Sequence, residues 1–240
     1  MENREYRYLN SINSPTELKK LTEEELVLYC EELRSYIIEC CASNPGHLGS
    51  SLGTVELTIA LHYVSATPED RIVWDVGHQA YAHKIITCRR DAFRDNRKLN
   101  GISGFPRMAE SEYDSFVAGH ASSSVSIALG MARARTLLND DYNVIALIGD
   151  GATTGGLAYE GLNDAAVSGE PMIVILNDNK MSIDRNVGGM SHQLARLRTA
   201  KFYFRLKNLF TRVTRKLPGG QLLFRGARKI KDLLKRSLLP

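Results

Sequence analysis

The chain contains 240 residues, of which 43% are hydrophobic and 24% charged, and this composition excludes a chain that is disordered over most of its length. No apolar run approaches the ~20 residues of a membrane-spanning helix, and the amino terminus lacks the apolar core of a secretory signal. The four cysteines show no CxxC spacing, so we expect reduced thiols in a cytoplasmic protein rather than a disulfide framework or a zinc site.

The formal net charge of +4 is distributed unevenly. Residues 201–240 contain twelve Lys or Arg and one acid, for a charge of +11, whereas residues 1–200 have a charge of −7. We therefore predict one domain over residues 1–200 and a separate basic linker segment over residues 201–240.

The first predicted elements are helices. Thr22 and Glu25 have the capping-box spacing, and apolar residues recur behind them with helical periodicity, which predicts a helix over residues 23–41. A second helix is predicted over residues 54–64. Residues 71–75 have the pattern of a short buried strand and precede a turn over residues 76–78.

The second half of the chain predicts a parallel sheet. Residues 88–116 indicate a long ordered loop, and residues 122–138 a small-residue-rich helix. Strand, helix and strand follow over residues 143–148, 157–168 and 172–176, which is a βαβ unit. The predicted fold class is α/β, a parallel sheet with helices on both faces.

Two polar turns follow the strands of this unit, GDG at 149–151 and NDN at 177–179. Ligands of parallel sheets bind beyond the carboxyl ends of the strands, and adjacent strands bring such turns together. Asp150 and Asn179 offer the oxygen ligands that suit Mg²⁺, which completes its shell with phosphate and water. The glycines that follow Asp150 permit close approach of an anion at a helix start. The pattern indicates a metal-bridged diphosphate site.

The GDG and NDN pair resembles the thiamine-diphosphate signature of the transketolase superfamily. Longer stretches, above all WDVGHQAY at 74–81 and NDNKMSI at 177–183, resemble the 1-deoxy-D-xylulose-5-phosphate synthases within it. The resemblance covers nearly the whole chain from about residue 10. It implies a domain that binds the diphosphate of thiamine diphosphate.

The resemblance also implies roles for particular residues. Asp150, the side chain of Asn179 and the carbonyl of Met181 correspond to Mg²⁺ ligands, and Gly151 and Ala152 lie along the diphosphate. The residues expected against the cofactor also include Ser50, His78 and the segment Gly119, His120 and Ala121, where many members have Ser in place of Ala121. His78 is also expected to be catalytic, together with His47.

Histidines divide into two groups in this sequence. His47 corresponds to the histidine that transfers protons at the reacting centre, and Ser50 lies close to it in what we expect to be the same loop. His47, His78 and His120 each follow a glycine at a predicted turn, as ligand-contacting residues do. His62 and His83 lie in helical patterns, and we expect them to be structural.

The implied reaction condenses pyruvate with D-glyceraldehyde 3-phosphate, with loss of CO₂, to form 1-deoxy-D-xylulose 5-phosphate, a precursor of isoprenoids, thiamine and pyridoxal. The implied enzyme is a cytoplasmic homodimer that binds neither nucleic acid nor membrane. Family members are about 600 residues long, so we expect the pyrimidine-binding domain, with the glutamate that activates the cofactor, to follow residue 240. The 240-residue chain alone is then expected to be inactive.

Two alternatives remain open from the sequence. The chain is also consistent with the diphosphate-binding subunit of a split transketolase-like enzyme. The second alternative is a non-catalytic interaction protein that uses the basic segment. A basic segment with interspersed apolar residues can bind anionic partners.

Overall fold

The structure is a computed structural model that describes residues 6–178. The helices and strands of this part follow in the order α1 (Pro15–Leu18), α2 (Glu23–Ser43), α3 (Leu48–Leu52), α4 (Val55–Val64), β1 (Arg71–Trp74), α5 (Tyr81–Lys84), α6 (Ser124–Leu138), β2 (Val144–Gly149), α7 (Gly156–Ser168) and β3 (Ile173–Asn177). The predicted basic segment over residues 201–240, with its boundary at residue 200, lies outside the described residues.

Helix α2 begins where its sequence predicts. The Thr22 side chain accepts a hydrogen bond from the backbone N–H of Glu25, and the Glu25 carboxylate accepts one from the N–H of Thr22. These two bonds satisfy amide groups that have no partner within the helix. The helix ends at Ser43, two residues beyond its predicted end.

The other predicted elements are confirmed to within two residues at each end. The predicted loop over residues 88–116 is also confirmed, since it contains only the end of a π-helical stretch, Ile85–Arg89, and one 3₁₀ turn, Ala92–Asp95. One expectation was wrong: Ser50 lies in the short helix α3 rather than in a loop with His47. A five-residue helix is too short to show a periodic pattern.

The three strands form a parallel sheet in the order β1-β2-β3. Trp74 pairs with Leu147, and Gly149 pairs with Asn177, so the carboxyl ends of neighbouring strands lie side by side. The predicted α/β class with a parallel sheet is confirmed.

Helices cover both faces of this sheet. Alternate strand residues pack on one side against α6 and α7, and the buried apolar residues there are Val73, Val125, Ala128, Ala132, Val144, Ala146, Ile148 and Ala158. The opposite side packs against α4 and the start of α5 through Leu61, Ile72, Trp74, Ala80, Ile145 and Leu147. The strand period of two residues separates these two cores.

A third core joins the amino-terminal helices. Tyr29, Leu33 and Ile37 of α2 are almost fully buried against residues of α4, α5 and the following stretch. No helix among residues 6–178 is long and apolar enough to cross a membrane.

Candidate functional site

The carboxyl ends of the three strands meet at one edge of the sheet. The backbone N–H of Asp75, after β1, donates to the carbonyl of Leu147 at 2.9 Å. The N–H of Asp150, after β2, donates to the carbonyl of Asn177 at 3.1 Å. The prediction that the two polar turns lie together is thereby confirmed for Asp150 and the start of the second turn.

Asp150 is held in a tight turn. Asp150 is buried. Its Oδ1 accepts a hydrogen bond from the N–H of Gly151 at 3.0 Å, and its carbonyl accepts one from the hydroxyl of Thr153 at 2.6 Å. These bonds fix the carboxylate at the end of the strand. A fixed carboxylate at this edge suits a hard cation.

Gly151 and Ala152 lead from this turn into α7. The hydroxyl of Thr154 donates to the carbonyl of Gly151 at 2.7 Å, and Ala152 begins a 3₁₀ turn that ends at Thr154. The N-cap of α7 is Gly155, which has no capping side chain. The amide groups at the start of α7 are therefore free of a side-chain cap, as an anion site requires.

His78 follows a strained turn after β1. Val76 and Gly77 both have left-handed backbone angles, with φ of 60° and 85°. A Cβ on Gly77 would lie 2.7 Å from that of Ala118, so only glycine fits there. Nδ1 of His78 is buried and has no hydrogen-bond partner among residues 6–178. Burial and the nearby His47 lower the pKa of His78.

His47 lies directly beside His78. The two imidazole rings are 5.6 Å apart between centroids and nearly perpendicular, at 79°. The backbone N–H of His47 donates to the hydroxyl of Tyr81 at 3.1 Å, which fixes the turn before α3. Burial, together with the positive charge of Arg97, lowers the pKa of His47, which favours the neutral form of its ring.

Ser50 and its neighbours tie α3 to the His78 turn. The Ser50 hydroxyl lies 3.3 Å from the carbonyls of both His47 and His78. The Ser51 hydroxyl donates to the same His78 carbonyl at 2.9 Å, and that of Thr54 donates to the Gln79 carbonyl at 2.9 Å. The two histidines, 31 positions apart in the chain, are held together by these bonds.

The segment Gly119, His120 and Ala121 joins the same edge. All three residues are exposed, and Gly119 has a φ of 138° that glycine tolerates best. A Cβ on Gly119 would meet no atom within 4 Å, which leaves open space beside this backbone.

Asp75 connects this segment to the rest of the site. Its carboxylate accepts the N–H groups of Ser122 and Ser124 at 2.8 and 3.0 Å, at the start of α6. The Ser122 hydroxyl donates to the carbonyl of Ala152 at 2.7 Å. A chain of hydrogen bonds thus links the turn of His78, the segment before Ser122 and the turn after Asp150.

Two predicted metal ligands, Asn179 and Met181, lie outside the described residues. Within residues 6–178, no three His, Cys, Asp or Glu side chains form a group that could hold a metal. The residues present nevertheless fit a diphosphate with one hard cation. Asp150 supplies a carboxylate, His78 supplies a buried nitrogen without a partner, and Gly119 leaves room for a ligand.

Sequence reasoning missed four residues that build the site. Asp75 and Ser122 connect its segments, Tyr81 fixes the backbone of His47, and the Phe105 ring lies 5.8 Å from the His47 ring. Asp75 alone left a signal, because it is the acid at the end of a predicted strand. The other contacts join residues too distant in sequence for a pattern to reveal.

The sequence matches the family model described as 1-deoxy-D-xylulose-5-phosphate synthase over residues 9–240. The chain belongs to this family. Proteins of that name that it resembles include one from Azobacteroides pseudotrichonymphae, 58% identical over 199 residues that make up 83% of this chain and 32% of the relative. Another, from Alkaliphilus oremlandii, is 50% identical over 236 residues, 98% of this chain and 38% of the relative.

The fold has a counterpart among solved structures. A transketolase from Leishmania mexicana superposes with a TM-score of 0.61 at 20% identity, over 76% of this chain and 30% of that one. This likeness supports the transketolase-type α/β fold. The synthase-family chain described here spans about a third of the length of the curated relatives it matches.

Proposed function

We propose that this chain is the diphosphate- and metal-binding part of a 1-deoxy-D-xylulose-5-phosphate synthase that depends on thiamine diphosphate and Mg²⁺. The enzyme would condense pyruvate with D-glyceraldehyde 3-phosphate and release CO₂. The supporting observation is the hydrogen-bonded edge at which Asp150, the Gly119 segment and the unpartnered Nδ1 of His78 come together. Membership of the synthase family supports this reaction among those of the fold.

The binding roles follow from the chemistry of each group. Asp150 would bind Mg²⁺ together with the side chain of Asn179 and the carbonyl of Met181, because all three offer oxygen ligands. Nδ1 of His78 would donate to a diphosphate oxygen, which gives a buried polar atom its missing partner.

Backbone segments would complete the diphosphate site. Gly151 and Ala152 lead to a helix start without a side-chain cap, where amide groups favour an anion. The exposed residues Gly119, His120 and Ala121 would line the cofactor from the other side, and Ser122 holds them next to Ala152.

His47 would move protons at the reacting centre. Thiamine diphosphate, when bound, would supply the nucleophilic carbon and the electron sink that this decarboxylation needs. A neutral imidazole can accept a proton from a substrate hydroxyl and return it, and the lowered pKa of His47 favours this neutral form. Ser50 would support this role by fixing the His47 and His78 carbonyls.

The proposal extends to the whole protein. The product would serve as a precursor of isoprenoids, thiamine and pyridoxal, in a cytoplasmic enzyme that functions as a homodimer. Its small-molecule partners would be pyruvate and D-glyceraldehyde 3-phosphate, with no nucleic acid or membrane partner.

A chimera tests the proposed function. Residues 1–240 of this chain would replace the matched segment of the Alkaliphilus oremlandii relative, since the match covers 98% of this chain. We expect the chimera to form 1-deoxy-D-xylulose 5-phosphate from pyruvate and D-glyceraldehyde 3-phosphate only when Mg²⁺ and thiamine diphosphate are present.

The matched control uses the two aspartates that flank β2. Asp150 follows the carboxyl end of β2, whereas Asp141 is exposed before its amino end. The Asp141→Ala chimera should remain active and the Asp150→Ala chimera should be inactive. A folded wild-type chimera without product formation, or equal activity of the two variants, would contradict the proposal.

A further inference from the structure

The loop over residues 101–116 folds back onto both histidine turns. The Phe105 ring lies 5.8 Å from the His47 ring between centroids, at an interplanar angle of 41°. The next residue, Pro106, accepts the N–H of Ala118 at 3.2 Å, and its Cδ would lie 2.5 Å from a Cβ on Gly77. Phe105 therefore forms one wall around His47, and Pro106 packs on the turn that carries His78.

Two carboxylates hold this loop, one on each side of Phe105. Oε1 of Glu110 accepts the backbone N–H of Ser103 at 2.6 Å. Oδ2 of Asp114 accepts the backbone N–H of Arg107 at 2.7 Å. Phe105 lies midway between the two fixed amides, so these bonds restrain the backbone on both sides of it.

Each carboxylate is itself anchored by a cation, either at the end of α5 or in the π-helical stretch that follows it. Nζ of Lys84, which is fully buried, donates to Oε2 of Glu110 at 2.6 Å. The guanidinium of Arg89 donates two bonds to Asp114, at 2.6 and 2.8 Å. Paired geometry of this kind is directional and rigid.

We call these two carboxylates and their cations, Glu110 with Lys84 and Asp114 with Arg89, the clamp. The charges of the clamp depend on each other. Burial alone would raise the pKa of Asp114, but hydrogen bonds from His83 and Arg89 lower it well below its ordinary value. Burial lowers the pKa of Lys84, and Glu110 opposes that shift. Removing one partner of such a pair leaves a buried charge without compensation, so the clamp is stable only when complete.

We propose that Glu110 and Asp114 are positioning residues that hold Phe105 against the imidazole of His47. The inference rests on the proposed function only in taking His47 as the group at the reacting centre. The contact between Phe105 and His47 can be measured without cofactor or substrate.

The clamp has a measurable consequence at His47. The Phe105 ring excludes water from one side of the imidazole, and burial is the largest cause that lowers the pKa of His47. The other charged or titratable groups that face His47 are Arg97, His78 and the hydroxyl of Tyr81. Displacing Phe105 should therefore raise the pKa of His47 toward its ordinary value.

The experiment is an NMR titration of the His47 ring in the 240-residue chain, with the signal assigned through His47→Gln. Glu110→Ala and Phe105→Ala should each shift the titration to higher pH. In the double variant Phe105→Ala/Glu110→Ala, the pKa of His47 should be no higher than in Phe105→Ala alone, because Glu110 acts through Phe105. A direct electrostatic effect of Glu110 on His47 would instead lower the pKa of His47 in Glu110→Ala, since loss of a negative charge disfavours protonation of the imidazole.

One control variant tests the loss of a charge elsewhere in this loop. Glu112→Ala removes an exposed acid of the same loop. His47 should titrate in this variant as it does in the wild type. If Glu110→Ala does not fold, Lys84→Met/Glu110→Leu removes both charges together and should give the same upward shift.

Other results would overturn the inference. A folded clamp variant in which His47 titrates as in the wild type would show that the carboxylates only stabilise the loop. If Glu110→Ala raised the pKa of His47 by the same amount in the wild type and in Phe105→Ala, Glu110 would not act through the Phe105 ring.

Discussion

His47 and His78 lie side by side, yet they differ in burial and in hydrogen bonding. The His47 residue is exposed, and its backbone N–H is fixed by the Tyr81 hydroxyl. His78 is more buried, and its Nδ1 has no partner among residues 6–178. A buried nitrogen without a partner suits tight binding of a ligand, whereas an accessible neutral imidazole suits proton transfer.

Kinetics of the chimera separate these two roles. His78→Ala should raise the concentration of thiamine diphosphate needed for half-maximal activity, because a diphosphate contact is lost. His47→Ala should lower kcat and kcat/KM together by about 10²- to 10⁴-fold, because proton transfer contributes in the transition state. A His47→Ala chimera whose kcat recovers at saturating cofactor would contradict the proton-transfer role.

The sequence predicts the histidines of the site better than it predicts their supports. Glycine before His47 and His78 indicated backbone turns near a ligand, and the structure places the two rings together. The contacts that Tyr81 and Phe105 make with His47 span 34 and 58 positions of the chain, respectively. Such contacts depend on the packing of whole elements, and no local pattern encodes them.

Three elements are joined by the buried pair His62 and His83. Nε2 of His62, in α4, lies 2.9 Å from Nδ1 of His83, in α5, and Nε2 of His83 lies 2.8 Å from Oδ1 of Asp114 in the loop. A carboxylate only accepts, so His83 donates to Asp114 and, when neutral, accepts from His62. His62 then accepts at Nδ1 from the Thr67 hydroxyl, 3.0 Å away. The expectation that both histidines are structural agrees with this network.

This network predicts a pH dependence of stability. Burial lowers the pKa of His62 well below its ordinary value of 6.5, and it also lowers that of His83. Below pH 6.5 the unfolded chain therefore binds protons that the folded chain excludes. The free energy of unfolding of the 240-residue chain, measured by urea denaturation, should be highest above pH 7 and decrease toward pH 5.5.

Replacing His62 isolates its part of this effect. His62→Gln keeps a donor toward His83 but cannot titrate. Its free energy of unfolding should therefore decrease less between pH 7.5 and 5.5 than that of the wild type. An unchanged decrease would show that other groups cause it.

Elements with strong local signals were predicted, and those fixed by tertiary contacts were not. Helix α2 was predicted from its capping box and its apolar periodicity over 21 residues, and the strands of the βαβ unit from their apolar runs. Helix α3 has five residues and is tied to the His78 turn by serine hydroxyls. The stretch Ile85–Arg89 breaks at Cys88, whose φ of 64° is unusual for a residue other than glycine.

At the scale of the molecule, the described residues provide one side of the proposed site. They supply Asp150, the histidine pair and the glycine segments at one sheet edge, in a chain that spans about a third of its relatives. The family resemblance implies that the carboxylate that activates the cofactor belongs to a further domain.

The isolated 240-residue chain should therefore show no synthase activity. Purified chain incubated with pyruvate, D-glyceraldehyde 3-phosphate, thiamine diphosphate and Mg²⁺ should release no CO₂ above the rate without protein. Turnover by this chain alone would refute the expectation that a second domain completes the site.

The most direct test of the central claim is calorimetric titration of thiamine diphosphate into the chimera, with and without Mg²⁺. We expect Mg²⁺-dependent binding to the wild type and to Asp141→Ala, and none to a folded Asp150→Ala variant, because in the proposed function Asp150 would hold the metal. Equal affinity of Asp150→Ala and the wild type would contradict the assignment of this sheet edge as the metal–diphosphate site.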